Sequence, residues 1–271
     1  MIATHDVEAR ITYAEASRTR LFCYEYDPPP GVPKRAAKYS EHRVTIRNGR
    51  GRTPPLSLAV DGFTLARHDT KIANFYDSAE VETRYSREIE TFIAHATGAS
   101  RVIVFDHTVR GNDVVRREGT DVHAPVARAH NDYTPDSAPR RVRQLVPDER
   151  EANRLLASRF VEINVWRPIR GPLQSWPLAV CTGASMQPAD FLPCDLIYPD
   201  RLGEIYEIAH HPRHEWYYFP DMHREEVLLL KCFDSVPGAR IGAHTAFEHP
   251  DTPADALPRE SIESRAFAFF A

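Results

Sequence analysis

The sequence predicts a mainly β fold with flanking helices, arranged as a sandwich or jelly roll. Three observations point there. The second half carries many short apolar stretches at close spacing, bounded by Pro or Gly. Helical segments precede them. Pro is abundant, at 22 residues, and Gly modest, at 12, which suits short strands and irregular connections better than long helices. A chain of 271 residues can bury a sizeable core. The expectation is one domain over residues 1–271, with 1–100 an N-terminal extension of short strands and two helices and 101–271 the β core.

Taken in order, residues 1–60 read as irregular apart from strands over 21–26 and 44–47. The first stops at Asp27-Pro28-Pro29-Pro30, and the second runs into the turn Asn48-Gly49. Asp77-Ser78-Ala79-Glu80 is a capping box and opens a helix. A second helix covers about Ser86–Thr97, with Ile89, Phe92, Ile93 and Ala96 on one face and Gly98 as its stop. A strand over 101–105 follows. Asp148-Glu149-Arg150-Glu151 is another capping box, with Leu155, Leu156 and Phe160 as the buried face of its helix. Strands are expected over 161–167, 178–182, 195–198, 205–209, 215–219, 227–233, 240–245 and 262–270.

Composition excludes several classes. A net charge of −4 gives no reason to expect nucleic acid or an anionic membrane as partner. No apolar run is long enough to span a bilayer, and no N-terminal signal peptide is evident. Cys23, Cys181, Cys194 and Cys232 are scattered without Cys-x-x-Cys pairing, which reads as reduced thiols in a cytoplasmic protein.

The chemistry-bearing stretch is Ala129-His130-Asn131-Asp132-Tyr133-Thr134-Pro135. Residues i and i+2 of a strand share a face, so His130 and Asp132 can grip one metal ion. A second His from a distant strand would complete the 2-His-1-carboxylate triad that suits non-haem Fe(II). The candidate is His244, in Gly242-Ala243-His244-Thr245-Ala246-Phe247. His-x-Asp is a weak pattern, and His249-Pro250-Asp251 also matches it. Position favours the first pair. From Asp132 to His244 there are 112 residues, room for many strands, whereas only 20 follow Asp251. His223-Arg224-Glu225 is a further alternative. His210, His211 and His214 read as a solvated loop, Asp106-His107 as a hydrogen-bonded structural pair, and Arg140, Arg141 and Arg143 as a solvated basic face.

A series of motifs in one order then resembles the AsaB-type hydroxylase/desaturase family. That family includes the cephamycin-pathway 7α-hydroxylase component and a fungal gibberellin desaturase. The motifs are Asp61-Gly62-Phe63, Phe105-Asp106-His107-Thr108-Val109-Arg110, His130-Asn131-Asp132, Asn164-Val165-Trp166-Arg167-Pro168, His214-Glu215-Trp216-Tyr217-Tyr218-Phe219, Lys231-Cys232-Phe233-Asp234-Ser235, His244-Thr245-Ala246-Phe247 and 258–265. The resemblance implies a double-stranded β-helix (jelly roll, cupin-like) core. It implies Fe(II), 2-oxoglutarate and O2 as cofactor and cosubstrates, with His130, Asp132 and His244 as iron ligands. It implies hydroxylation or desaturation of a small molecule in secondary metabolism, either by the chain alone, as a homodimer, or beside a tailoring-enzyme partner. It further implies an arginine on the last barrel strand for the distal carboxylate of 2-oxoglutarate. Arg259, with Ser261 beside it, is placed ahead of Arg265, because a hydroxyl accompanies it and fewer residues separate it from His244. Arg265, among Ile262, Ala266 and Phe267, needs an anion, either Glu263 or the cosubstrate itself.

Asn164, Arg167, Thr182 and Tyr217 are candidate substrate contacts. For Arg167 a structural role at a strand end is preferred, and for Tyr217 a core role competes. Thr182 stands where members of the family often carry Asp. Two other classes remain at this stage: a cupin-like metal-dependent hydrolase or isomerase, and a partner subunit that does not turn over.

Overall fold

The computed structural model describes residues 5–111 and 122–270. Its strands form two sheets. In spatial order the larger contains β1 (Val7–Ala14), β3 (Tyr39–Asn48), β12 (Trp216–Tyr218), β9 (Leu178–Cys181), β14 (Ala243–Ala246), β7 (His130–Asn131), β11 (Leu202–Ile208), β10 (Phe191–Ile197) and β2 (Leu21–Tyr24). The smaller contains β4 (Phe63–Arg67), β13 (Glu226–Asp234), β8 (Arg159–Pro168), β15 (Glu260–Phe270), β5 (Arg101–Gly111) and β6 (Val122–His123). Sequence neighbours are seldom sheet neighbours, as expected of a double-stranded β-helix.

Alternation explains how the sheets face one another. On β8, Phe160, Glu162, Asn164 and Trp166 point one way, while Val161, Ile163, Val165 and Arg167 point the other. Trp166 packs with Leu228, Leu230 and Phe63 of its own sheet and with Val180, Leu178 and Tyr217 of the larger one, so this side is the barrel interior. Val161, Ile163 and Val165 pack instead against Val81, Tyr85, Ile89 and Ile93. Those four belong to one continuous helical run made of α1 (Ser78–Glu80), a π turn (Val81–Tyr85) and α2 (Ser86–Thr97). Burying the aliphatic stripe of this run against the sheet keeps it in place.

The caps behave as the sequence suggests. The Asp77 side chain accepts from the Glu80 N–H at 3.1 Å, and Gly98 closes α2 in the left-handed conformation with its N–H on Ala94. Asp148 caps α4 (Glu149–Leu156) in the same way. Phe160 is not on that helix. It lies on β8 and joins Leu155, Phe233, Phe267 and Phe269 in a separate cluster.

Three differences have physical causes. β1 lies in a stretch expected to be irregular, yet Val7, Ala9, Ile11 and Tyr13 alternate with polar residues and are buried. β5 continues to Gly111 instead of ending at Phe105, because its polar residues face a polar interior, not solvent. α3 (Ser137–Leu145) carries the basic face of Arg140, Arg141 and Arg143 and was not expected as a helix; Ala138 and Val142 form a narrow buried seam beneath its arginines. Among the described residues no helix is long and apolar enough to cross a membrane.

Candidate metal centre and its arginines

β7 is short and sits between β14 and β11, with His130 directly opposite His244. Asn131 holds it there. Its amide donates to the Gly242 carbonyl at 2.7 Å, and its Oδ1 accepts from the Tyr133 N–H at 3.2 Å, which turns the chain at the strand end. That turn brings Asp132 inward beside the imidazoles.

The His130 Nε2 lies 3.5 Å from Asp132 Oδ1, and the His244 Nε2 lies 4.0 Å from the same oxygen. The two rings are 4.2 Å apart, centre to centre. All three donor atoms fall within 4.8 Å of one another, and all three residues are buried. His130 Nδ1 donates to the Arg128 carbonyl at 2.8 Å, which leaves Nε2 unprotonated and aimed at the cluster. Burial, reinforced by His244, holds the His130 imidazole well below its ordinary range and so keeps it neutral. Burial alone would raise the Asp132 carboxyl; the Arg265 guanidinium, the largest opposing influence, overrides it and holds it ionised. A neutral imidazole and a carboxylate are the forms that bind a divalent ion.

Two arginines, Arg265 at the cluster and Arg259 six residues before it, stand in opposite circumstances. Arg265 is saturated with anions. Its Nε donates to Asp132 Oδ2 at 2.8 Å, its Nη1 to Asp106 at 2.6 Å and Thr108 at 3.0 Å, and its Nη2 to Glu263. Arg259 is 2% exposed and has no carboxylate in hydrogen-bond contact among the described residues. Its Nε donates to Ser261 Oγ at 3.0 Å and its Nη1 to the Trp176 carbonyl at 2.9 Å, and its cation lies 5.1 Å from the centre of the Trp166 ring. Burial, then the neighbouring Arg110, pull its guanidinium down to about 9. Glu263 acts on it only at a distance, and a buried guanidinium without a hydrogen-bonded carboxylate is costly.

Comparison with known proteins agrees with this donor set. Residues 11–269 match a family described as "Oxidoreductase/YMDC permease-like domain". The chain is similar to the Fe(II)/2-oxoglutarate-dependent dioxygenase nvfI of Aspergillus novofumigatus, 31% identical over 258 residues, covering 91% of this chain and 90% of that one. It is similar to the hydroxylase/desaturase efuI of Hormonema carpetanum, 32% identical over 259 residues, covering 86% and 85%. The solved structure of the iron and alpha-ketoglutarate-dependent endoperoxidase NvfI superposes with a TM-score of 0.89 at 28% identity, over 99% of this chain and 100% of that one. The chain belongs to the Fe(II)/2-oxoglutarate-dependent dioxygenase family.

In this dioxygenase the other sequence candidates sit as follows. Asn164 faces the interior and donates from Nδ2 to Asp132 Oδ2 at 2.8 Å. Tyr217 shares the inner face with His244, two strands away through Val180, or about 10 Å by strand spacing. Its hydroxyl is engaged by Arg52. Thr182 is buried, and its hydroxyl donates to Asp61 at 3.2 Å, holding the turn before Gly62. Arg167 is not brought to the site. It points into the helical layer, donates to the His68 carbonyl at 3.0 Å, and has the Tyr85 ring 5.5 Å from its cation.

The alternative metal patterns do not assemble. His249 lies against Tyr218 and accepts from the Asp251 N–H, and His223 is exposed beside Glu226. His107 bridges Ser86 and Ser264 at 2.8 Å each and ties α2 to the sheet, a structural role. Glu263, one of the two anions the sequence offers for Arg265, is in place, whereas Asp106 was missed as its partner. Period-two spacing along their strands was the available signal: 106, 108 and 110 share one face, and 259, 261, 263 and 265 another. Glu162 was missed as well. It is fully buried on the inner face of β8, and burial, with Asp132 adding to it, pushes its carboxyl well above the ordinary range.

Proposed function

We propose that His130, Asp132 and His244 hold Fe(II), and that Arg259 with Ser261 receives the distal carboxylate of 2-oxoglutarate. The enzyme then hydroxylates or desaturates an unactivated C–H bond of a small molecule, in secondary-metabolite biosynthesis. The observation that carries the cosubstrate assignment is the state of Arg259: buried, ringed by a hydroxyl, a carbonyl and an indole face, and without a carboxylate among the described residues. A bidentate guanidinium suits a carboxylate, and the Ser261 hydroxyl adds a neutral donor beside it.

Iron, 2-oxoglutarate and O2 together supply the oxidising power for C–H cleavage, with succinate and CO2 as co-products. The chain supplies the rest. His130 and His244 would offer ring nitrogens, Asp132 would balance part of the metal charge, and the apolar walls around Trp166, Val180 and Leu230 limit access of water. All the residues named come from one chain, so the reading needs no partner subunit. The four cysteines are free and buried, which fits a cytoplasmic enzyme.

The test is an anaerobic titration of Fe(II)-loaded protein with 2-oxoglutarate, following the visible metal-to-ligand charge-transfer band. The band should form in the wild type and require far more 2-oxoglutarate in Arg259→Gln. No band, and no succinate when O2 and ascorbate are admitted, would leave a cupin-like hydrolase or a non-catalytic partner as the better reading.

A further inference from the structure

Asn164 and Arg265 are direct cross-strand partners on β8 and β15, and both aim at the same atom. The Asn164 Nδ2 and the Arg265 Nε each lie 2.8 Å from Asp132 Oδ2. We propose that this pair is a carboxylate clamp that presents Asp132 to the metal through Oδ1 alone, and that Arg265 is a positioning residue instead of a cosubstrate ligand. The proposal rests on the iron assignment above and adds a division of labour between the two arginines.

A carboxylate oxygen has two in-plane lone pairs, and two donors at hydrogen-bond distance occupy both. Oδ2 is therefore spent. Oδ1 remains, and it is the oxygen that faces the Nε2 atoms of His130 and His244. A carboxylate free to rotate can chelate through both oxygens and take two metal positions. Held by the clamp, Asp132 takes one, which keeps the others for the 2-oxo acid and O2.

Arg265 has little left to give a cosubstrate. Each of its three nitrogens already donates to a carboxylate: Asp132, Asp106 or Glu263. Arg259 has the opposite profile. Asn164 tells the same story from the other side. Its Oδ1 is buried without a hydrogen-bond partner among the described residues, while its β13 neighbour in register is Leu230. Packing alone would favour an apolar residue at 164, so the amide donor to Asp132 is what the position supplies.

The experiment uses Co(II) as a redox-inert probe with visible ligand-field absorption. Co(II) affinity, the bound spectrum, the melting point of the metal-free protein and the 2-oxoglutarate affinity of the metal-saturated protein are measured. The variants are Asn164→Leu, Arg265→Gln, Arg259→Gln and His244→Ala. In Asn164→Leu, Co(II) affinity should fall about 10- to 100-fold and the ligand-field bands change, while the metal-free melting point stays or rises. Arg265→Gln should follow it in metal affinity, with 2-oxoglutarate affinity of the saturated protein within about threefold of wild type. Arg259→Gln should do the reverse.

Wild-type Co(II) affinity and spectrum in Asn164→Leu would overturn the clamp, and that variant serves even if Arg265→Gln does not fold. Loss of 2-oxoglutarate affinity in Arg265→Gln with metal affinity intact would overturn the assignment of Arg265. If His244→Ala binds Co(II) as the wild type does, the iron site itself is wrong and the clamp falls with it. If His244→Ala loses Co(II) while Asn164→Leu keeps it, only the clamp fails.

Discussion

At the scale of single residues, the ligand set makes a sharp prediction. His130→Ala, Asp132→Ala and His244→Ala should each lose iron by metal analysis while keeping the wild-type circular dichroism spectrum. His249→Ala should keep its iron, because that ring packs on Tyr218. Arg259→Gln should cost about 2–5 kcal/mol of 2-oxoglutarate binding, as for removal of one partner from a buried charged pair. A third prediction concerns pH. Burial depresses the His107 imidazole from 6.5 to about 4, so between those values the unfolded chain binds the extra proton and the folded one does not. That contribution to stability is complete above pH 6.5 and is lost as pH falls through about 4. Urea unfolding of His107→Gln should show a flatter acid limb than the wild type; an unchanged limb would place the titration elsewhere, for example on His68. That His130, Asp132 and His244 come together was legible from strand spacing and the ordered family motifs taken jointly. Glu263 could be named as an anion for Arg265, but Asp106 could not, because only the packed barrel shows which residues of a distant strand meet that guanidinium.

At the scale of elements, two glycines set how closely the strands of the site approach. Gly62 has φ +82°, and a Cβ on it would meet the Gly242 nitrogen at 2.9 Å. A Cβ on Gly242 would meet the Cys181 carbonyl oxygen at 2.5 Å. Gly242 also accepts the Asn131 amide and lies two residues before His244. Gly242→Ala should therefore displace β14 from β9 and β7 together, destabilise the protein by about 1–3 kcal/mol as overpacking does, and weaken metal binding although no ligand is altered. Thermal melts and Co(II) titration read the two effects separately, and an unperturbed metal affinity would show that β14 is anchored from its other end. Strands rich in Val, Ile, Leu or aromatics, such as β8 and β13, were legible, and so were the capped helices. β5 was read short because Asp106, Thr108 and Arg110 are polar for the sake of the interior they line. α3 gave no helical signal because its buried seam is only Ala138 and Val142. β1 is different: Val7-Glu8-Ala9-Arg10-Ile11-Thr12-Tyr13 alternates plainly, and its pattern was readable.

At the scale of the whole molecule, metal and cosubstrate should act as staples between the sheets, since His130 and His244 belong to the larger sheet and Arg259 adjoins the smaller. A ligand at a hundredfold excess over its Kd stabilises by about 2.7 kcal/mol, or about 5–10 °C of Tm for a chain of this size. Calorimetry with Co(II) should show such a shift in the wild type and none in Asp132→Ala. The sheet order has a further meaning when time is considered. β15 lies at the centre of the smaller sheet, hydrogen-bonded to β5 on one side and β8 on the other. β2 and β3, near the start, pair with β10 and β12, which follow roughly 170 residues later. A ribosome therefore releases the other fourteen strands of the described residues before the one that joins β5 to β8. Until then the inner faces of β8 and β13 have no closed barrel to enter, and the nascent chain exposes its longest apolar strands. Closure of the smaller sheet has to wait for β15, the consequence of placing the strand that joins β5 to β8 after both of them in the chain.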